Sequence, residues 1–304
     1  MMAWSYRPPP ALTDSQFELW QRLVEERTGI DLSQHRSILQ SGLNRRLREL
    51  DGGDYDDYYE QVVPLPGGLV EWQALIDCLT VKETSFFRQP AAYDLVRNYL
   101  RERLSSPQRA GTLDLWSAGC ATGEEAYSLA MVADEAIAAS GGEVFLGVFA
   151  TDISAAALRR VREGRFAARR LQAVPEPQQR CYFRALADDS AGDRYEIVPA
   201  LRERVCCSQV NLLELERLPP LAMDVIFCQN VLVYFRRWRT RQVLDALVER
   251  LKPGGLLVVG PGEAAHWHHP AMVAAGYPGV SAYLHCPPQP ASADTGAGNE
   301  YRTE

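Results

Sequence analysis

Between Leu113 and Ala130 the chain passes from an apolar run, Leu113–Trp116, into Ser117–Gly123, a turn built almost wholly of small residues, and resumes with Glu124, Glu125, Ala126, Tyr127 and Ser128. Small residues let a ligand press against the backbone at the carboxyl edge of a strand, where open α/β sheets bind ligands. A tight strand–helix turn with no ligand would read the same way. A second apolar run ends in Ala150-Thr-Asp-Ile153. An acid at the tip of the next strand can hold both hydroxyls of a ribose, or it can cap the following helix. Asp152 lies 29 residues beyond Gly123, whereas a dinucleotide fingerprint spaces its acid by roughly 20 and carries a Gly-x-Gly-x-x-Gly phosphate cradle. The implied ligand needs no such cradle. His266, His268 and His269 cluster around Trp267, but no Cys or acid stands at ligand spacing, which favours a solvated loop over a metal centre. Seven cysteines without Cys-x-x-Cys pairing argue against a disulfide framework and a structural zinc site.

These residues need a scaffold, and the hydrophobic pattern predicts one. Leu113–Trp116, Val144–Ala150, Asp224–Cys228 and Leu256–Gly260 read as short strands alternating with helical stretches, the signature of a mostly parallel sheet covered on both faces. Residues 167–210 break that rhythm, with Cys181–Arg184, Tyr195–Val198 and Val205–Val210 as short strands of a small antiparallel insertion. Upstream, residues 13–85 form an all-helical module ahead of a sheet domain over 86–286. Thr13 and Gln16 predict a capping box, with Phe17, Trp20, Leu23 and Val24 on one face and Gly29 as the stop. A second helix carries Leu39, Leu43, Leu47 and Leu50 on one face and Arg36, Arg45, Arg46 and Arg48 on the other, ending at Gly52-Gly53. Tyr55–Val63 and the run from Leu69 to Leu79 give two more. Residues 1–12 and 287–304, rich in Pro and small polar residues, are expected to be mobile.

With 39 acidic against 32 basic side chains, the balance disfavours broad nucleic-acid binding. No run approaches the roughly 18 apolar residues that span a bilayer, and Met1–Pro10 lacks a secretory pattern. The expected compartment is the cytoplasm, with no direct membrane insertion.

Six ordered motifs then carry a resemblance: Thr84-Ser-Phe-Phe-Arg88, Trp116–Ser128, Ala150–Ile153, Asn211-Leu-Leu213, Phe227–Phe235 and Leu251-Lys-Pro-Gly-Gly255. Together they resemble the CheR chemotaxis receptor methyltransferases over residues 12–285, with the pilus-associated PilK branch the nearest likeness. The resemblance implies an α/β, Rossmann-like methyltransferase sheet that binds S-adenosylmethionine and releases S-adenosylhomocysteine, using chemoreceptor cytoplasmic helices as substrate. It implies that Lys82, Thr84, Arg88, Gly119, Glu124 (or its neighbour Glu125), Asp152, Asn211, Leu212, Asn230 and Val231 meet the cofactor, and that Arg88 and Tyr234 serve the reaction. Phe86 and Phe87 are read as packing that fixes Arg88. The chain departs from the family pattern at Lys82, Ala126, Gln229 and Pro261, the last two on the expected substrate side. Two competing readings are a non-catalytic cofactor-binding scaffold and a methyltransferase for a small molecule or RNA.

Overall fold

The computed structural model describes residues 11–64, 67–106, 111–186 and 193–286; residues 1–10 of the terminus expected to be mobile, and residues 287–304, lie outside them. Four helices open the described chain: α1 (Asp14–Thr28), α2 (Arg36–Glu49), α3 (Tyr55–Val62) and α4 (Leu69–Leu79). The capping box forms, with the Gln16 amide donating to Thr13 Oγ1 at 3.3 Å and the Thr13 amide donating to Gln16 Oε1 at 3.1 Å. Gly29 ends α1 in the left-handed region at φ 77°, and a Cβ there would come within 2.5 Å of the Phe235 ring. Leu39, Leu43 and Leu47 are buried as the spacing predicts, but Leu50 is the exposed C-cap of α2. Gly42 brings α2 against Leu79 of α4, since an added Cβ would meet Leu79 Cδ2 at 2.4 Å. Leu12, expected in the mobile terminus, is buried in this helical core with Trp20, Leu39 and Tyr55.

The remainder contains α5 (Pro90–Ser105), β1 (Thr112–Ala118), α6 (Glu124–Ser140), β2 (Phe145–Asp152), α7 (Ala155–Glu163), β3 (Arg165–Ala167), α8 (Glu176–Tyr182), β4 (Phe183–Ala185), β5 (Arg194–Ile197), α9 (Pro199–Arg202), β6 (Val205–Gln209), β7 (Met223–Cys228), α10 (Arg237–Val248), β8 (Leu251–Val259), β9 (Met272–Ala274) and β10 (Ser281–His285). Seven strands make one sheet in the order β6-β2-β1-β7-β8-β10-β9. The first five are parallel, and β10 and β9 close the far edge antiparallel. The chain builds β1, β2 and β6 in one direction and then returns to β7 on the other side of β1. That reversal leaves a crevice beyond the carboxyl ends of β1 and β7, the topological switch point at which such sheets take ligands.

The insertion is smaller than residues 167–210. Its sheet has the order β3-β5-β4, while Val205–Gln209 pairs parallel with β2 as the edge of the main sheet. The apolar–polar mixture of an edge strand looks like an insertion strand in sequence, because both are half exposed. Cys181 belongs to α8, and the strand starts at Phe183. Among the described residues no helix is long and apolar enough to cross a membrane.

Asp224, with no exposed surface, ties the sheet together at the end opposite the crevice. Its carboxylate accepts from Arg103 Nε at 2.7 Å, from Lys252 Nζ at 2.7 Å and from the Asp114 amide at 2.9 Å. This joins α5, β1, β7 and β8 through one fully partnered buried charge. Removing one partner of such a group strands the others without compensation, so Asp224→Asn is expected to cost about 3–5 kcal/mol. Urea unfolding checks this: the midpoint falls while the far-ultraviolet circular dichroism of the folded protein is unchanged.

Candidate active site

The turn after β1 is held by the Thr151 carbonyl, which accepts from the amides of Gly119 at 2.7 Å and Cys120 at 2.8 Å. Gly119 stands at φ 87°, and a Cβ there would lie 2.3 Å from Val231 Cγ2. Glycine is thus required both by the backbone and by the approach of the β7 loop. Asp152 ends β2 with Oδ2 accepting from the Ala121 amide at 2.9 Å and Oδ1 from the Ser154 amide at 2.8 Å. The cap of α7 is Ser154, whose hydroxyl accepts from the Ala157 amide, so the capping alternative for Asp152 does not hold. Burial raises the Asp152 pKa, opposed by its two backbone donors and by the charge of Lys82.

Glu124 and Glu125 part company at the start of α6, because consecutive helical residues point about 100° apart. Glu125 faces the crevice, its carboxylate taking a 2.7 Å bond from Ser117 Oγ. Desolvation pushes its pKa up to about 8; Ser117 and Arg88 oppose the shift, and the charges of Glu263 and Asp152 add to it. Glu124 turns toward the insertion instead, bonded to Thr122 Oγ1 at 2.6 Å and 3.7 Å from the Arg170 guanidinium. Lys82 also misses the crevice, its Nζ donating to the Asp77 carbonyl. Of the residues expected from sequence, Glu124 and Lys82 are the two that do not line the cavity.

The others converge on it. Thr84, Arg88, Gly119, Asp152, Asn211, Leu212, Asn230, Val231 and Tyr234 line one cavity of about 290 Å³, at the small end of the roughly 300–1,000 Å³ typical of ligand sites. Arg88 is fixed by its neighbours. Phe86 is fully buried, edge-on to Phe166 and Phe183 of the insertion at 4.9 and 5.4 Å. Phe87 adopts φ 49° with its amide donating to Ser128 Oγ. The exposed Arg88 guanidinium donates to the Glu83 carbonyl at 3.2 Å and reaches the cavity mouth. Tyr234 is half-buried, which raises its pKa, and its carbonyl accepts from the Asp31 amide at 2.8 Å. Asn211 spans the two modules, its Nδ2 donating to the Arg27 carbonyl at 2.8 Å.

Two contributors escaped the sequence reading. Glu263 gathers the β7 loop: its carboxylate accepts from the amides of Gly260 at 2.6 Å, Val233 at 3.1 Å and Asn230 at 3.2 Å, holding Asn230 at φ 58°. The only signal was a lone acid in Gly260-Pro-Gly-Glu263, where Pro261 drew the attention; Pro261 does not line the cavity, whereas Gln229 does. The helical module is the second: Thr28, Ile30, Leu32, His35 and Ile38 form one wall. Their apolar pattern reads only as module core.

The charge of the cavity is selective. Glu83, Glu125 and Asp152 line it, and among the described residues Arg88 is its one Lys or Arg. Such a surround suits a cationic ligand and is the wrong sign for a dinucleotide's phosphates. The carboxyl of Asp152 beside the small turn, the apolar Ile30 and Leu212, and the buried Glu125 fit the ribose, adenine and ammonium of S-adenosylmethionine. Among the described residues no set of three His, Cys, Asp or Glu could hold a metal, and His269 instead accepts from the Ala271 amide.

Known proteins match this architecture in both of its parts. Residues 15–80 match the all-alpha domain of the CheR methyltransferases, and residues 82–275 match the CheR SAM-binding domain. A chemotaxis protein methyltransferase of Salmonella typhimurium is 34% identical over 83% of this chain and 85% of its own. Chemotaxis protein methyltransferase 2 of Pseudomonas aeruginosa is 33% identical over 84% and 91%. A probable biofilm formation methyltransferase of the same organism, WspC, is 30% identical over 85% of this chain and 59% of its own. With both domains matched in order around one acid-lined crevice, this chain belongs to the CheR family of S-adenosylmethionine-dependent methyltransferases.

Proposed function

We propose that this enzyme methylates glutamate side chains of a chemoreceptor, forming methyl esters during adaptation of a chemotaxis or type IV pilus pathway. The observation that carries the reading is the placement of one arginine, Arg88, and one tyrosine, Tyr234, at the mouth of an otherwise acid-lined cavity. S-Adenosylmethionine, when bound, supplies an electrophilic methyl group on a positively charged sulfur. A glutamate side chain, with a reference pKa near 4.3, is already a carboxylate at neutral pH and needs no general base. The protein's part is therefore to hold, orient and desolvate, and alignment alone can supply roughly 7–11 kcal/mol in favourable cases.

In this reading Asp152 binds the ribose hydroxyls, Glu125 the ammonium, and Leu212 with Ile30 the adenine faces. Gly119 and Val231 set the width of the slot, and Asn230 shapes its methionine side. Thr84 lies beside Arg88, and Arg170 steadies that segment by donating to the Thr84 carbonyl at 2.7 Å. Glu124 acts at one remove, through Arg170. Lys82 acts through its field on Asp152. Arg88 steers the incoming carboxylate, which comes to rest against Tyr234.

Two outcomes are expected. Arg88→Ala loses methyl transfer by about a hundredfold or more while S-adenosylhomocysteine affinity changes less than about threefold, read by initial rates and calorimetry; a collapse of cofactor affinity would remove the steering role. Base-labile release of the transferred label identifies the ester. The second concerns pH. Because burial holds Glu125 as a neutral acid up to about pH 8, binding an ammonium between about pH 6 and 7 displaces a proton, and affinity rises with pH by up to about tenfold per unit. Glu125→Gln removes this slope and Glu124→Gln keeps it. A flat profile in the unmodified protein contradicts the assignment of Glu125.

A further inference from the structure

The acidic chain carries a concentrated basic segment directly after Val233, Tyr234 and Phe235, which line the cavity. Arg236, Arg237, Arg239 and Arg241 fall within six residues, and no Asp or Glu occurs between Asp224 and Asp245. The segment caps and opens α10, so its charges sit at the positive end of that helix dipole, with no acid in the first turn to offset them. Helix stability does not call for arginines there. Arg236 is used internally, paired with Glu25 and Asp31. Arg237 and Arg241 are exposed, four positions apart on one helical face, and have no carboxylate partner among the described residues. Between them Trp238 is 50% exposed, with the Arg239 guanidinium stacked 4.0 Å from its ring centroid. Val233, 60% exposed, lines the cavity together with Tyr234 and precedes this segment in the chain by only a few residues.

On the basic face of α2 three of the four arginines are already paired, Arg36 with Asp14, Arg45 with Glu49 and Arg46 with Glu71, and Arg48 donates to the Asn44 carbonyl of its own helix.

We infer that the Arg237–Trp238–Arg241 face is a docking surface for the glutamate-rich helix surrounding the residue to be methylated. The inference rests on the reading of the substrate as a receptor glutamate. A carboxylate delivered to Tyr234 reaches the chain just ahead of α10, whose first turns carry these two guanidinium groups and an indole on exposed positions. A flanking helix rich in carboxylates complements them in charge, and Trp238 offers the flat, half-apolar face on which helix methylenes pack.

The test uses the full-length protein, a glutamate-rich cytoplasmic receptor fragment, the same fragment with surface glutamates changed to glutamine, and phosphatidylserine vesicles. In Arg237→Glu/Arg241→Glu, fragment affinity falls at least about tenfold at low salt and the gap narrows below about threefold near 0.5 M salt. The kcat at saturating fragment and the affinity for S-adenosylhomocysteine stay unchanged. The charge-matched Arg101→Glu/Arg159→Glu control binds like the unmodified protein, and Trp238→Ala, which keeps both charges, weakens the fragment by about threefold. Equal fragment binding by the double variant, or a loss confined to the vesicles, overturns the docking face. Charge-dependent binding without base-labile methyl transfer would instead overturn the glutamate-methylation reading while leaving the docking face in place.

Discussion

Burying carboxyl groups is the constraint around which this molecule is arranged. Glu125, Asp152 and Glu263 all sit at the carboxyl end of the sheet, in or beside the crevice, and desolvation is the largest influence on each. An isolated buried acid would stay protonated or unfold its surroundings. Here each acid is met by donors that the fold supplies, the Ala121 and Ser154 amides for Asp152, three loop amides for Glu263 and the Ser117 hydroxyl for Glu125, where desolvation nonetheless outweighs the single donor and holds the group neutral up to about pH 8. The donors of Asp152 and Glu263 come from turns, and those turns exist because β1, β2 and β7 end side by side at the switch point. The acids leave a cavity whose field favours positive charge, with Arg88 as a counterweight at the rim.

The two modules meet on that cavity. Asn211 bonds across to Arg27, Phe235 bridges to Ile30, and Ser154 Oγ donates to Asp77 of α4 at 2.6 Å. The helical module is therefore part of the binding wall as well as a neighbour of it. The insertion reaches the site by another route, through Phe166 and Phe183 against Phe86 and through Arg170 to the Thr84 carbonyl. Arg88 is consequently placed by contacts from several parts of the chain, which matters for a reaction governed by alignment.

Much of this was legible in the sequence. The small-residue turn, the acid at the tip of β2 and the capping box of α1 are local, and local chemistry fixes them. What was hidden depends on direction or on distance. Glu124 and Glu125 are indistinguishable by type, and only the helix phase set by Gly123 decides which faces the cavity. Val205–Gln209 could not be told from an insertion strand because its partner, β2, lies more than fifty residues upstream. Glu263 looked like a leftover of an unusual turn, since its three amide partners come partly from a loop about thirty residues earlier. The Leu50 side chain kept the helical spacing but fell where the helix had already ended.

The most direct measurement is a calorimetric titration of the purified protein with S-adenosylhomocysteine, repeated with NAD. An acid-lined crevice without a phosphate cradle predicts saturable one-to-one uptake of the first, abolished in Asp152→Ala, and no uptake of the second. Binding of NAD, or S-adenosylhomocysteine affinity indifferent to the loss of Asp152, would contradict the account at its centre.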